Sequence, residues 1–128
     1  MKRVSANILV IEDDPDGLLM MQTRLEANGF VVSSAADGLE GLKRAQESHP
    51  DLILLDIIIP KLSGLEVCRR LKSDPQTRHV PIVVITAATF DDLEERVRSA
   101  GADAWIRRPC TSTDLLNVVH GAMDSAHE

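Results

Sequence analysis

Short apolar segments alternate with amphipathic ones along the whole chain. Apolar runs this short, bounded by turn or capping residues, are typical of strands buried in a parallel sheet. Each run is followed by a segment whose apolar residues recur with helical spacing, which indicates a helix with one buried side. The pattern therefore predicts five strands, each followed by a helix, and the strands cover residues 7–11, 30–33, 52–56, 81–86 and 104–107.

Capping residues indicate where the helices begin and end. Asp14 followed by Pro15 is a typical helix start, and Thr111-Ser112-Thr113-Asp114 has the pattern of a capping box. Strand and helix units that alternate in this way predict an α/β fold, with helices on both faces of a parallel sheet. The predicted helices run from the Asp14 cap to Gly29, from the Asp37 cap to about 47, over 64–72, over 91–99, and onward from Thr111.

Composition narrows the class of protein. The chain has 128 residues, of which 44% are hydrophobic, so it can form one globular domain with a core of its own. A net charge of -6 without a basic stripe argues against direct nucleic-acid binding. No apolar run approaches the length of a membrane span, and the acidic residues 12–14 interrupt the first apolar run too early for a signal peptide, so we expect neither feature. Cys68 and Cys110 lack metal-ligand spacing, so we expect reduced thiols and a cytoplasmic location.

Acidic residues follow two of the apolar strands. Glu12 and Asp13 come directly after the first strand, and Asp56 closes the third. Ligands of open parallel sheets bind at the carboxyl ends of the strands, so these carboxylates lie where the fold places chemistry. Crowded carboxylates repel one another, and a hard divalent cation relieves that repulsion. Oxygen ligands with room for water and a phosphoryl group favour Mg²⁺.

Four motifs occur in an order and spacing that are specific together, although each alone is weak. They are an acidic pair within 10–13, the block 50–56 with Pro60 and Ser63-Gly64 behind it, the strand end 84–87, and 101–103 leading to Arg108-Pro109. Together they resemble the receiver domain of bacterial two-component response regulators. The resemblance implies a flavodoxin-like three-layer sandwich with strand order 2-1-3-4-5. It covers about residues 6–123, within a single predicted domain of residues 1–128.

The resemblance also assigns chemistry to the acidic residues. Asp56 would be the phosphoacceptor, since an aspartate carboxylate can attack phosphorus and form a covalent acyl phosphate. Asp13 and Asp56 would bind Mg²⁺ directly, together with the backbone carbonyl of Ile58, and Glu12 would act through a bound water. Asp14 is better suited to cap the following helix than to bind the metal.

Three further residues complete the implied switch. The Thr86 hydroxyl would donate to a phosphoryl oxygen, and Trp105 stands where the family has an aromatic switch residue, usually Tyr or Phe. Arg108 replaces the usual Lys before a proline that the resemblance implies to be cis. It keeps the positive charge and can fork two hydrogen bonds onto a phosphoryl group. The plainer alternatives are a strand threonine, a half-buried edge tryptophan, and a solvated Arg107-Arg108 pair.

The implied function is a phosphorylation-dependent signalling switch. A histidine kinase or phosphotransfer protein would donate the phosphoryl group to Asp56. The face formed by helix four, strand five and helix five would then change and regulate a downstream effector, or pair two copies of the chain. Such a domain is not an enzyme beyond promoting its own phosphorylation and dephosphorylation. The sequence does not distinguish a stand-alone regulator from part of a longer protein.

Other functions remain as alternatives. One is a degenerate receiver that binds a partner without phosphorylation, which Arg108 and Trp105 keep open. Another is a phosphohydrolase of the haloacid dehalogenase type, but its second aspartate would stand at Ile58. A nucleotide carrier is disfavoured because no glycine-rich loop follows the first strand. In a receiver, Ile58 and Ala88 would flank the path of the hydrolytic water, and their apolar side chains predict slow self-dephosphorylation.

Overall fold

The computed structural model describes residues 5–89 and 91–126, with side chains through 124. Its strands are β1 (Asn7–Ile11), β2 (Val31–Ala35), β3 (Leu52–Leu55), β4 (Ile82–Thr86) and β5 (Ala104–Arg107). They form one parallel sheet in the order β2-β1-β3-β4-β5. The strand order implied by the family resemblance is therefore confirmed.

The helices lie between and after these strands, and their caps follow the sequence. The Asp14 side chain accepts a hydrogen bond from the Gly17 amide at 3.1 Å, as expected of a helix cap. Thr111 and Asp114 form the predicted capping box, each accepting from the other's backbone amide. No helix in the described ranges is both long and apolar enough to span a bilayer. The helices are α1 (Pro15–Glu26), α2 (Gly38–Ser48), α3 (Gly64–Ser73), α4 (Leu93–Ser99) and α5 (Ser112–Ala126).

Successive strand side chains point into two different apolar layers, because neighbouring residues of a strand face opposite sides of the sheet. Ile8 and Val10 pack with α1 and α5, and Leu9 and Ile11 pack with α2, α3 and α4. All four side chains are fully buried. Burial on both faces explains the continuous apolar strands in the sequence, and it leaves the carboxyl edge of the sheet as the place for polar groups.

The second strand lies further along the chain than residues 30–33. It begins at Val31 and ends at Ala35, where it pairs with β1 from Asn7 to Ile11. The two residues beyond the predicted range are Ser34, which is half-buried and polar, and the buried Ala35, so the apolar pattern appeared to end before them. The hydrogen-bonded ladder with β1, rather than hydrophobicity, sets the bounds of this strand.

The fourth helix begins at Leu93 rather than at residue 91. Asp92 takes the cap position but makes no capping hydrogen bond. Its carboxylate instead pairs with Arg96 at 2.8 Å, one turn along the helix. Leu93 and Val97 are the buried residues of this short helix, which begins where the first apolar side chain reaches the core.

Candidate functional site

The carboxyl ends of β1, β3 and β4 meet at one edge of the sheet. Ile11 lies opposite Leu55, and Leu55 lies opposite Val84. The Asp56 amide donates to the Ile11 carbonyl at 3.1 Å, which continues the β1–β3 ladder by one step. This bond places Asp56 beside the end of β1, directly before Glu12. The sheet therefore brings together the acidic residues that follow β1 and β3, as the sequence predicted.

The loop after β3 is built closely around Asp56. The Ile58 amide donates to Asp56 Oδ1 at 3.2 Å, and the Gly64 amide donates to the Ile57 carbonyl at 2.8 Å. A Cβ at Gly64 would stand 2.0 Å from the Asp56 carbonyl oxygen, so only glycine fits where α3 begins. Asp56 itself is partly exposed. The loop therefore fixes the aspartate backbone while leaving the carboxyl group accessible.

Glu12 and Arg108 form an ion pair inside the site. Arg108 Nη2 donates to Glu12 Oε1, and the Glu12 residue is only 2% exposed. A Cβ at Gly17 would lie 3.0 Å from the same glutamate oxygen, so the glycine makes room for the pair. The sequence indicated a positive charge at position 108 but not this partner. In this structure the guanidinium contacts Glu12, at the end of the strand next to the one that leads to Asp56.

Burial dominates the electrostatics of Glu12. It raises the pKa of the carboxyl group, the hydrogen bond and charge of Arg108 lower that pKa, and the negative charge of Asp56 raises it. The two acids therefore interact across the strand ends. Arg108 supplies the positive charge that offsets part of this crowding.

Thr86 is fully buried at the end of β4. Its Oγ1 accepts a hydrogen bond from the Ala88 amide at 3.1 Å. Because that bond uses an oxygen lone pair, the hydroxyl proton can still be donated. The Thr86 carbonyl accepts from the Arg108 amide at 2.8 Å, and the Arg108-Pro109 bond is cis, as the resemblance implies. Thr86 and Arg108 are thus joined through the backbone at the site.

Trp105 and Arg107 lie together near the loop that follows β4. The tryptophan is half-buried against the apolar layer under α3 and α4. The Arg107 guanidinium carbon lies 5.4 Å from the centre of its ring, within the range of a cation–π contact. Arg107 Nη1 also donates to the Ala88 carbonyl at 2.9 Å. From the sequence, Arg107 could be described only as one half of a solvated basic pair with Arg108. No motif or residue spacing predicted its contacts with Trp105 and Ala88.

The predicted metal ligands suit a hard cation in chemistry and number. In the part of the chain that the structure describes, no three His, Cys, Asp or Glu side chains form a cluster that could hold a metal. The predicted set needs only two carboxylates directly, from Asp13 and Asp56, with a backbone carbonyl and waters completing an oxygen shell. Asp13 is exposed and Asp56 partly exposed, so both can reach a hydrated ion.

The two apolar residues predicted to flank the site differ in exposure. Ile58 is 66% exposed, whereas Ala88 is buried under the loop after β4. The Ile58 side chain is therefore exposed to solvent, while its backbone amide is bonded to Asp56 Oδ1. Ala88 contributes through its backbone, which is bonded at both the amide and the carbonyl.

Carboxylates, a hydroxyl and a cation at the carboxyl edge of a 2-1-3-4-5 sheet define a receiver-type α/β signalling domain. Residues 8–120 match the family model described as the response regulator receiver domain, and the chain belongs to this family. This finding confirms the resemblance on which the interpretation of the sequence rested.

Similar proteins extend over nearly the whole chain. The polar-differentiation response regulator DivK of Brucella ovis is 34% identical over 123 residues, which span 96% of this chain and 100% of DivK. A CheY-like receiver domain from Methanospirillum hungatei JF-1 superposes with a TM-score of 0.91 at 27% identity, covering 97% and 98% of the two chains. The receiver domain of a sensor histidine kinase from Pseudomonas aeruginosa PAO1 superposes with a TM-score of 0.87 at 26% identity, covering 94% of this chain and 99% of that domain. That structure is described with a magnesium ion coordinated in the active site cleft.

Proposed function

We propose that this chain is a phosphorylation-dependent switch whose phosphoacceptor is Asp56. The observation that carries the proposal is the placement of a partly exposed aspartate beside the Glu12–Arg108 pair. The Asp56 amide is bonded to the Ile11 carbonyl at the end of β1, and its loop is fixed from behind by Gly64. A carboxylate held in this way can receive a phosphoryl group without rearrangement of the sheet.

The proposed reaction is transfer from a phosphohistidine. A carboxylate oxygen of Asp56 attacks phosphorus, the phosphorus–nitrogen bond breaks, and the histidine nitrogen leaves with the bonding pair and takes a proton. The Thr86 hydroxyl then donates to one phosphoryl oxygen. Arg108 provides a cation next to the same edge, within the network that holds Glu12. Both groups stabilise the charge that the phosphoryl group brings.

We propose Mg²⁺ as the cofactor of this site. Asp13, Asp56 and the Ile58 carbonyl would hold it, and Glu12 would act through water. The magnesium described for the receiver domain from Pseudomonas aeruginosa supports this assignment. When bound, the ion supplies positive charge that offsets the repulsion between the carboxylates and the incoming phosphoryl oxygens.

The proposed partners follow from the same chemistry. The donor would be a sensor histidine kinase or a histidine phosphotransfer protein, and the output would be an effector protein or a second copy of the chain at the α4–β5–α5 face. The role is that of a signalling protein, in keeping with the family. A cytoplasmic location and a single domain over residues 1–128 stay predictions from the sequence.

Labelling with a small phosphodonor tests the phosphoacceptor. Wild type, Asp56→Asn and Asp124→Asn are incubated with phosphoramidate and Mg²⁺, and their intact masses are compared. Asp124 is an exposed residue of α5, so its variant controls for loss of one carboxylate. We expect one added phosphoryl group on wild type and Asp124→Asn and none on Asp56→Asn. Equal labelling of all three proteins would refute the assignment of Asp56 as the phosphoacceptor. No labelling of wild type would favour a phosphorylation-independent interaction module.

A further inference from the structure

One residue of the loop after β4 is held from two directions. The Ala88 amide donates to Thr86 Oγ1 at 3.1 Å, and the Ala88 carbonyl accepts from Arg107 Nη1 at 2.9 Å. The first bond comes from the side chain predicted to contact the phosphoryl group. The second comes from the last residue of β5, which lies directly opposite Thr86 in the sheet. Ala88 therefore joins the candidate site to the neighbouring strand.

Arg107 has a second contact that extends this connection. Its guanidinium carbon lies 5.4 Å from the centre of the Trp105 ring, on the same strand. Trp105 packs in turn against the apolar layer that includes Leu93 and Val97 of α4. A single guanidinium thus touches both the loop that Thr86 holds and the aromatic side chain at the output face.

We propose that Arg107 is a positioning residue that holds the loop after β4 in its resting place and ties it to Trp105. The proposal rests on the proposed function, since it describes how phosphorylation of Asp56 is passed on. When the Thr86 hydroxyl turns to a phosphoryl oxygen, Ala88 follows it and its carbonyl leaves Arg107. The guanidinium loses its acceptor, and the Trp105 ring is released from its resting neighbour.

This arrangement sets a threshold for the switch. The bond between Arg107 and Ala88 exists in the resting arrangement and must break for the loop to move, so it stabilises one of two states. An interaction that is stronger in one state than in the other shifts the equilibrium toward the first state, by an amount set by the difference in interaction free energy. Removing the guanidinium therefore raises the fraction of molecules whose loop is already in the phosphorylation-ready position. A purely structural contact would stabilise both states equally and leave that fraction unchanged.

Three variants test the proposal in the full chain. Arg107→Met keeps a long side chain without hydrogen-bond donors, and Arg107→Lys restores a cation that can still reach a carbonyl. Arg44→Met removes an arginine of α2 whose guanidinium lies 3.6 Å from the Glu40 carboxylate, so it controls for lost charge. The measurements are the rate of Asp56 labelling by phosphoramidate with Mg²⁺, amide exchange of Ala88 in the unlabelled protein, and the urea midpoint.

We expect Arg107→Met to be labelled several-fold faster than wild type and to exchange the Ala88 amide faster, with a slightly lower urea midpoint because the resting fold loses a hydrogen bond. Arg107→Lys should fall between the two, and Arg44→Met should match wild type. A labelling rate in Arg107→Met that is unchanged or slower overturns the proposal, whatever the exchange rate. If wild type is not labelled at all, the proposed function itself fails. If wild type is labelled but Arg107→Met is not labelled faster, only the proposal for Arg107 fails.

Discussion

At the scale of single residues, two neighbouring arginines at the end of β5 contact different parts of the molecule. Arg107 reaches the Ala88 carbonyl, and Arg108 pairs with the buried Glu12. Successive side chains at a strand end point to opposite sides, so adjacent identical residues acquire separate roles. Substitutions at the two positions should therefore give different phenotypes, although each removes the same charge.

Replacing Arg108 tests its part in the site. We expect Arg108→Lys to keep Asp56 labelling and to enlarge the Trp105 fluorescence change on phosphorylation, because a compact ammonium on a flexible stem needs less room in the site than a planar guanidinium. Arg108→Ala leaves Glu12 buried without its cation and should destabilise the fold by about 1–3 kcal/mol in urea unfolding. Arg44→Ala is the control for charge. An identical fluorescence change in wild type, Arg108→Lys and Arg108→Ala would contradict a role in the switch.

Ile58 should control how long the phosphoryl group persists. Its side chain is 66% exposed beside Asp56, so an asparagine there can orient a water toward phosphorus without disturbing the core. We expect the phosphorylated Ile58→Asn variant to lose its phosphoryl group several-fold faster than wild type in Mg²⁺ buffer, as followed by intact mass. Leu39→Asn, at an exposed position of α2, should decay like wild type. Decay of Ile58→Asn at the wild-type rate would show that this position does not govern water access.

At the scale of elements, the start of α3 fixes the loop that carries the phosphoacceptor. A Cβ at Gly64 would lie 2.0 Å from the Asp56 carbonyl oxygen and 2.7 Å from the Ile57 Cα. An alanine at this position would therefore push the first turn of α3 away from the loop that carries Asp56. We expect Gly64→Ala to lower stability and to slow Asp56 labelling. Gly121→Ala in α5 is the matched control, since its added Cβ meets no described atom within 4 Å. It should raise stability by about 0.5–1 kcal/mol in urea unfolding. Equal effects of the two changes would refute the packing argument.

Elements were predictable where burial or capping determines them. The buried strands β1, β3 and β4 occur close to where the apolar runs placed them, and Asp14 caps α1 as expected. The end of the edge strand β2 was misplaced because Ser34 carries no hydrophobic signal and the extent of the strand follows its pairing with β1. The start of α4 was displaced because Asp92 pairs with Arg96 instead of capping the helix. The first error comes from strand pairing and the second from a local ion pair, and the periodic pattern encodes neither of them.

At the scale of the whole molecule, the sheet explains which parts of the site could be predicted. Acids that follow parallel strands must share one edge, so the neighbourhood of Glu12 and Asp56 follows from the strand order. The contact between Arg108 and Glu12 joins residues 96 positions apart, and the Arg107 contact with Ala88 depends on a rotamer at a strand end. Neither residue periodicity nor a motif predicts these two contacts, because each depends on a side-chain rotamer that is determined only when the layers of the fold pack together.

Magnesium should stabilise the whole fold if the acidic edge binds it. A ligand that binds only the folded state adds RT ln(1 + [L]/Kd), which is about 1.4 kcal/mol at ten times Kd. We therefore expect added Mg²⁺ to raise the thermal midpoint of wild type by a few degrees. Asp13→Ala should lose most of this rise, because it removes a direct ligand and a charge that the ion offsets.

Asp16→Ala is the control for this measurement, since Asp16 is an exposed acid in the first turn of α1, outside the predicted ligand set. Its midpoint should rise with Mg²⁺ as in wild type. The pairing of Glu12 with Arg108 leaves Asp13 as the unburied member of the acidic pair, so the difference between Asp13→Ala and Asp16→Ala isolates binding from general charge screening. If both variants respond to Mg²⁺ equally, the ion acts on surface charge and the metal site lies elsewhere.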